Sequence, residues 1–124
     1  MQGRIVVRAT NGIYPIYFVS DIHQIVDEIS KIIKTKKIII ITDTNIERLY
    51  IGEFSDLLRK FFNVLIYTVE AGETSKSLSI LPRIYEFLIE NEIVREHTIL
   101  AFGGGVIGDL AGFVAGTYLR GISY

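Results

Sequence analysis

Phe102-Gly103-Gly104-Gly105-Val106-Ile107-Gly108-Asp109, continuing as Leu110-Ala111-Gly112-Phe113-Val114-Ala115-Gly116, decides how the rest of the chain is read. The apolar run before it, residues 98–102, predicts a buried strand, and the residues after it have helical periodicity. Seven of the 11 glycines fall between Gly103 and Gly121, a local concentration and not a habit of composition. A glycine-rich turn from strand to helix presents bare backbone N–H groups at the positive end of a helix. That is a site for a phosphate or another anion.

Outward from this stretch, strand-like and helical runs alternate. Ile38-Ile39-Ile40-Ile41 is an unbroken β-branched run, as expected of a central parallel strand covered on both faces. Residues 64–69 predict the next strand. Ile22, Ile25, Val26, Ile29, Ile32 and Ile33 form the stripe of a helix that Asp21 and Gln24 open as a capping box. Lys31, Lys34, Lys36 and Lys37 at its end are read as cations suited to a helix C-terminus. Phe54, Leu57, Leu58 and Phe61 continue a second helix after Gly52. Leu81, Ile84, Tyr85, Leu88 and Ile89 predict a third, either with Ser79 as N-cap and Pro82 in its first turn or with a kink at the proline. At the start of the chain, two β-rich runs around Asn11-Gly12 predict a hairpin, with Pro15 opening its second strand. The fold class is therefore α/β: a Rossmann-like, mostly parallel sheet flanked by helices, with an N-terminal β-hairpin.

At 124 residues the chain is one domain or a piece of one enzyme, and 49% apolar with 22% charged residues describes a folded globular chain. A net charge of -1 provides no field for nucleic acid. With no cysteine there is no disulfide and no thiolate chemistry, and a cytoplasmic setting is expected. Residues 98–119 are apolar enough to raise the question of a membrane span. Asp109 in their middle and the interrupting glycines place them inside protein instead.

Polar residues follow each predicted central strand, where open α/β sheets bind ligands. Asp43 and Asn45 follow the first, with Thr44 and Glu47 reading as a capping box; the two could equally do no more than shape the turn. Gly72, Glu73 and Lys76 follow the second. Gly103-x-Gly105-x-x-Gly108 follows the third, but no acidic residue about twenty positions later reads a ribose, so the pattern is not a conventional dinucleotide fingerprint. Its mechanism survives: the glycines permit φ > 0 and close approach of a diphosphate. Gly108, Gly112 and Gly116 line one stripe of the following helix, with close packing read for Gly112 and Gly116, and Asp109, Phe113 and Arg120 on another side. An aspartate in the first turn is favoured by the helix dipole. His23 and His97 have no partner at ligand spacing, and no metal site is expected in this chain.

Gly103-Gly104-Gly105-Val106-Ile107-Gly108-Asp109-Leu110-Ala111-Gly112-Phe113, with Ala115 and Tyr118-Leu119-Arg120-Gly121, closely resembles the signature of 3-dehydroquinate synthase. Asp43-x-Asn45-Ile46-x-x-Leu49-Tyr50 and Gly72-Glu73-x-x-Lys76-Ser77 resemble two further motifs of that family, in order. The resemblance implies that residues 1–124 are a truncated NAD-binding domain whose C-terminal metal and substrate domain lies outside this chain. It implies a zinc- or cobalt-dependent lyase of the shikimate pathway, in aromatic amino-acid biosynthesis, that uses NAD as a recycled catalyst on a sugar-acid phosphate. By position, Asp43, Asn45, Glu73 and Lys76 would meet the adenosine side of NAD, with Gly72 shaping the loop. Gly104, Gly105 and Val106 would hold the pyrophosphate, and Asp109 would lie near the nicotinamide. Arg120 would bind substrate phosphate or carboxylate from across a homodimer. No catalytic residue falls in this chain, and the fragment alone is expected to be inactive. The alternatives are a related sugar-phosphate cyclase of inosose or valiolone type, or a stand-alone NAD-binding module. A receiver-like domain needs clustered strand-end aspartates, and only Asp43 is available.

Overall fold

The computed structural model describes residues 3–72 and 78–124. An antiparallel hairpin, β1 (Gly3–Ala9) and β2 (Gly12–Phe18), leads into α1 (Ile22–Ile32) and β3 (Lys37–Asp43). Then come α2 (Thr44–Ile46), a π-helical turn (Glu47–Ile51), α3 (Gly52–Leu58) and β4 (Asn63–Val69). A 3-10 turn (Leu78–Ile80) enters α4 (Leu81–Glu90), followed by β5 (Thr98–Ala101), α5 (Gly105–Thr117) and a closing 3-10 turn (Tyr118–Arg120).

The expected α/β architecture is present. β4, β3 and β5 form a parallel sheet in that order, with β3 in the centre. Ile38, Ile39, Ile40 and Ile41 are all completely buried because helices cover both faces. Ile38 and Ile40 pack with Val26 of α1 and with Phe54 and Leu58 of α3. Ile39 and Ile41 pack with Ile84 and Leu88 of α4 and with Ile107, Ala111 and Val114 of α5. The split follows the two-residue period of a strand. Each isoleucine buried in this way is worth roughly 1.5–3 kcal/mol, so β3 anchors both layers. Its neighbour β5 carries Ser123 on the other side: the Ile99 N–H donates to the Ser123 carbonyl at 2.8 Å, and Thr98 lies opposite Ser123 in a parallel bridge.

Asp21 caps α1, its carboxylate accepting from the Gln24 N–H at 3.1 Å, while the Gln24 side chain accepts from Ser20 at 3.1 Å. The box thus closes one residue earlier than its usual form. Lys34 donates to the Lys31 carbonyl at 2.8 Å, as a cation at a helix C-terminus should. Three stripe positions depart from expectation. Ile32 and Ile89, each in the last turn of its helix, are exposed at 57% and 66%. Phe61 lies beyond the end of α3 and is exposed, while Phe62 takes the place in the core.

The second helix runs from Thr44 through a π turn and continues past Gly52, which is itself helical (φ -53, ψ -57). Two boundaries differ. Ser79 is not the cap of α4: the 3-10 turn takes that place, and Pro82 sits in the first helical turn, where no N–H is required. In the hairpin, Ala9 pairs with Gly12 across a two-residue turn, so β2 starts earlier than expected and Pro15 lies in its middle, opposite Val6. Counting from the turn, that is a non-hydrogen-bonded pair, and the missing proline N–H costs β1 nothing.

Candidate functional site

The helices that follow β3 and β5 leave for opposite faces of the sheet: α3 packs with Ile38 and Ile40, α5 with Ile39 and Ile41. Where adjacent strands send their helices apart, a crevice opens at their carboxyl ends. The register sets Asp43 opposite Val69 and Ile41 opposite Ala101, which brings the loops after β4, β3 and β5 to one edge. Asp43, Asn45, Gly72, Gly104 and Gly105 all lie on these loops or at the helix starts they lead into. Glu73 and Lys76 lie outside the described residues.

Asp43 has the local role that the turn reading gave it. It, and not Thr44, caps the helix after β3: its Oδ1 accepts from the N–H groups of Asn45 at 2.9 Å and Ile46 at 3.0 Å. The Thr44–Glu47 capping box does not form. Asp43 is the last residue of the strand and has extended dihedrals (φ -114, ψ 170), the geometry of a cap. Thr44 and Glu47 are instead engaged by the neighbouring strand and its loop. Thr44 Oγ1 accepts from the Ala71 N–H at 3.2 Å, and Glu47 accepts from the Thr68 hydroxyl. Asn45 is exposed beside the cap, and Gly72 has φ +94, a conformation that suits glycine.

The glycine loop corrects one expectation and sharpens another. Among the described glycines only Gly72 and Gly121 have positive φ, so the loop glycines are not there for left-handed backbone. Gly103 is a steric requirement: a Cβ there would stand 3.0 Å from Cβ of buried Ile107. At Gly104 and Gly105 a Cβ would meet nothing within 4 Å and would point into open space. Gly104 is the N-cap of the 13-residue α5, and no side chain caps it. The first N–H groups of α5 thus face an open surface that a side chain would obstruct.

Further along α5, Ile107, Leu110, Ala111, Val114 and Ala115 are buried, and the other face looks outward. Asp109 and Phe113 share that outer face with Gly108, Gly112 and Gly116 instead of projecting to another side. Asp109 is the fifth residue of α5, past the first turn in which the dipole account applies. Among the described residues the glycine stripe packs at Gly112, against Tyr124, while a Cβ at Gly108 or Gly116 would meet nothing within 4 Å.

Arg120 is not on α5. It lies in the turn after it, where Leu119 (φ 50), Arg120 (φ 65) and Gly121 (φ 121) are consecutive left-handed residues. The turn is held by Ile122 N–H donating to the Ala115 carbonyl at 2.7 Å and by the buried Tyr118 hydroxyl donating to the Ile93 carbonyl at 2.8 Å. Arg120 lines a cleft with Arg95, Gly116 and Ser123. A helix of 13 residues separates it from the glycine loop, about 20 Å. This chain therefore does not bring Arg120 to the other candidate residues.

A second cleft, of about 830 Å³, runs between α1 and the π turn and reaches Gly103, with Ile22, Tyr50 and Leu100 among its walls. His23 is exposed, 3.8 Å from Asp21. His97 Nδ1 accepts from the Val94 N–H at 3.0 Å, and burial together with the Lys37 charge holds its pKa below the ordinary value. Among the described residues no three His, Cys, Asp or Glu side chains gather as a metal site. No helix among them is long and apolar enough to cross a membrane.

Sequence reading missed Thr42. It is completely buried, and its hydroxyl donates to the Phe102 carbonyl at 2.7 Å. The available signal was one hydroxyl directly after four isoleucines.

Residues 66–124 match the family described as 3-dehydroquinate synthase N-terminal. The chain is 40% identical over 122 residues to a 3-dehydroquinate synthase of Caldanaerobacter subterraneus subsp. tengcongensis, covering 97% of this chain and 34% of that protein. It is 48% identical over 92 residues to one from Clostridium kluyveri, covering 73% of this chain and 26% of that protein. The chain is a relative of the 3-dehydroquinate synthases. It spans about a third of the length of the first of these synthases. A solved 2-deoxy-scyllo-inosose synthase superposes with a TM-score of 0.84 at 25% identity over 97% of this chain and 34% of its own. Another structure of a 2-deoxy-scyllo-inosose synthase, complexed with carbaglucose-6-phosphate, NAD+ and Co2+, gives a TM-score of 0.83 at 24% identity, covering 97% of this chain and 33% of its own. The cyclases thus share the fold of this synthase relative.

Proposed function

We propose that this chain is the NAD-binding part of a 3-dehydroquinate synthase, which converts 3-deoxy-D-arabino-heptulosonate 7-phosphate to 3-dehydroquinate and phosphate. The observation that carries the reading is the edge where three parallel strands end. There the N-terminus of α5, which no side chain caps, and the open sites at Gly104 and Gly105 share one edge with the helix start that Asp43 caps. That donor set fits a dinucleotide diphosphate, which needs several N–H groups at close approach. When bound, NAD accepts and returns a hydride at a substrate alcohol.

In this reading Gly104, Gly105 and Val106 bind the pyrophosphate through backbone N–H groups. Asp43 accepts from the adenosine ribose with the oxygen that its cap leaves over, and Asn45, Glu73 and Lys76 are assigned to the adenosine side by motif position. Asp109, on the outer face of α5, lies towards the nicotinamide. The divalent metal, zinc or cobalt, and the groups that act on substrate belong to protein beyond residue 124. Arg120, at the far end of α5, serves the substrate anion of a second subunit in a homodimer, since its guanidinium suits bidentate anion binding. The enzyme works in the cytoplasm.

The test is calorimetric titration of NAD into the full-length protein and into its Gly105→Val variant. Heat lost in the variant supports the phosphate-loop assignment, and equal heats overturn it. The 124-residue chain by itself is expected to make no dehydroquinate. A second reading, a related sugar-phosphate cyclase, draws on the fold likeness to 2-deoxy-scyllo-inosose synthase. Turnover of a hexose phosphate, and not of the heptulosonate phosphate, by the full-length protein would establish it.

A further inference from the structure

Phe102, the residue before the three glycines, is fixed to the central strand at both its backbone groups. Its N–H donates to the Ile41 carbonyl at 3.0 Å, and its carbonyl accepts from Thr42 Oγ1 at 2.7 Å. Its ring stacks on Phe54 with centroids 4.3 Å apart and planes at 17°. On the other side of the same strand end, Thr44 Oγ1 holds the Ala71 N–H, immediately before the left-handed Gly72. Two hydroxyls of one strand end thus reach in opposite directions, one to the loop after β5 and one to the loop after β4.

A hydroxyl at a completely buried position costs free energy unless it is bonded. Four isoleucines directly precede it on its strand, and a valine would fill the space without a polar atom. The Thr42 hydroxyl spends its bond on a loop carbonyl sixty positions away. No group of its own strand takes it.

We propose that Thr42 and Thr44 are positioning residues of the nucleotide site. They tie the β5 and β4 loops to the end of β3, so that a dinucleotide meets three loops already in register. The inference rests on the NAD-site reading above. It requires the hydroxyls to act through Phe102 and Ala71, without touching the ligand. Loops tied in advance bind without losing the freedom that free loops must give up.

The test uses the full-length protein and four variants: Thr42→Val, Thr42→Ser, Thr44→Val and Gly105→Val. Thr42→Val and Thr44→Val should each raise the dissociation constant for NAD about five- to tenfold, with kcat at saturating NAD within about twofold of wild type. Thr42→Ser keeps the hydroxyl and should restore affinity. A merely structural brace would lower the melting temperature and leave NAD affinity unmoved. Thr44 is only half-buried, so its variant reports on binding even if Thr42→Val fails to fold. Wild-type affinity in the folded valine variants, with Gly105→Val weakened, overturns the positioning role. Wild-type affinity in Gly105→Val as well overturns the NAD-site reading beneath it.

Discussion

The phenol of Tyr124 lies over Gly112: a Cβ on the glycine would stand 3.0 Å from the tyrosine hydroxyl and 3.2 Å from its Cζ. Tyr124 is 71% exposed, so its ring can move aside. Gly112→Ala should therefore change stability little. Gly108 and Gly116 on the same face meet nothing, so alanine there gains helix propensity of up to about 1 kcal/mol each. Thermal denaturation of the 124-residue chain reads this. A lower melting temperature for either variant would mean that the face packs against something, such as a second copy.

Gly103 behaves in the opposite way. Its missing Cβ leaves room for Cβ and Cγ1 of Ile107, both 3.0 Å from where it would be. Ile107 is β-branched and buried, so it cannot turn away. Gly103→Ala should destabilise the chain by about 1–3 kcal/mol, measured by denaturant titration with an unchanged slope.

Tyr118→Phe removes the hydroxyl that satisfies the Ile93 carbonyl, at a buried site. The expected loss is about 1–2 kcal/mol with the fold retained, since the ring still stacks on Tyr85. Circular dichroism during denaturation checks both parts.

His97 gives a pH dependence of known sign. Its pKa in the folded chain lies below 6.5 because burial and Lys37 disfavour the imidazolium, and Nδ1 is occupied as an acceptor. The unfolded chain therefore binds the proton first as pH falls. The stabilisation is complete above about 6.5 and is lost as pH falls through the folded value. Wild type should lose more melting temperature between pH 7.5 and pH 5 than His97→Asn does. Parallel pH profiles for the two would refute it.

The central strand was legible because four consecutive isoleucines have only one satisfactory environment, burial on both faces. The order of helices and strands followed from it, and so did the three strand-end loops. Other features had no such signal. Asp43 and Thr44 are both good caps, and only the point at which the strand ends decides between them. A π turn differs from an α turn by one hydrogen-bond step, which no residue type in Glu47–Ile51 announces. Glycines spaced by four share a helix face, but spacing is silent on what lies across it. Arg120 was read onto the helix because its periodicity continues, while the backbone turns left-handed at Leu119.

Because α3 and α5 diverge to opposite faces, neither of these two helices closes over the strand-end edge among the described residues. For those helices, a molecule resting there is like an object on a shelf. Its residence time is then governed by how fast its own contacts break, and no gate has to open first. Slow release, if the full-length protein has it, must come from a second jaw, and its closing and opening would be the step that a kinetic experiment sees.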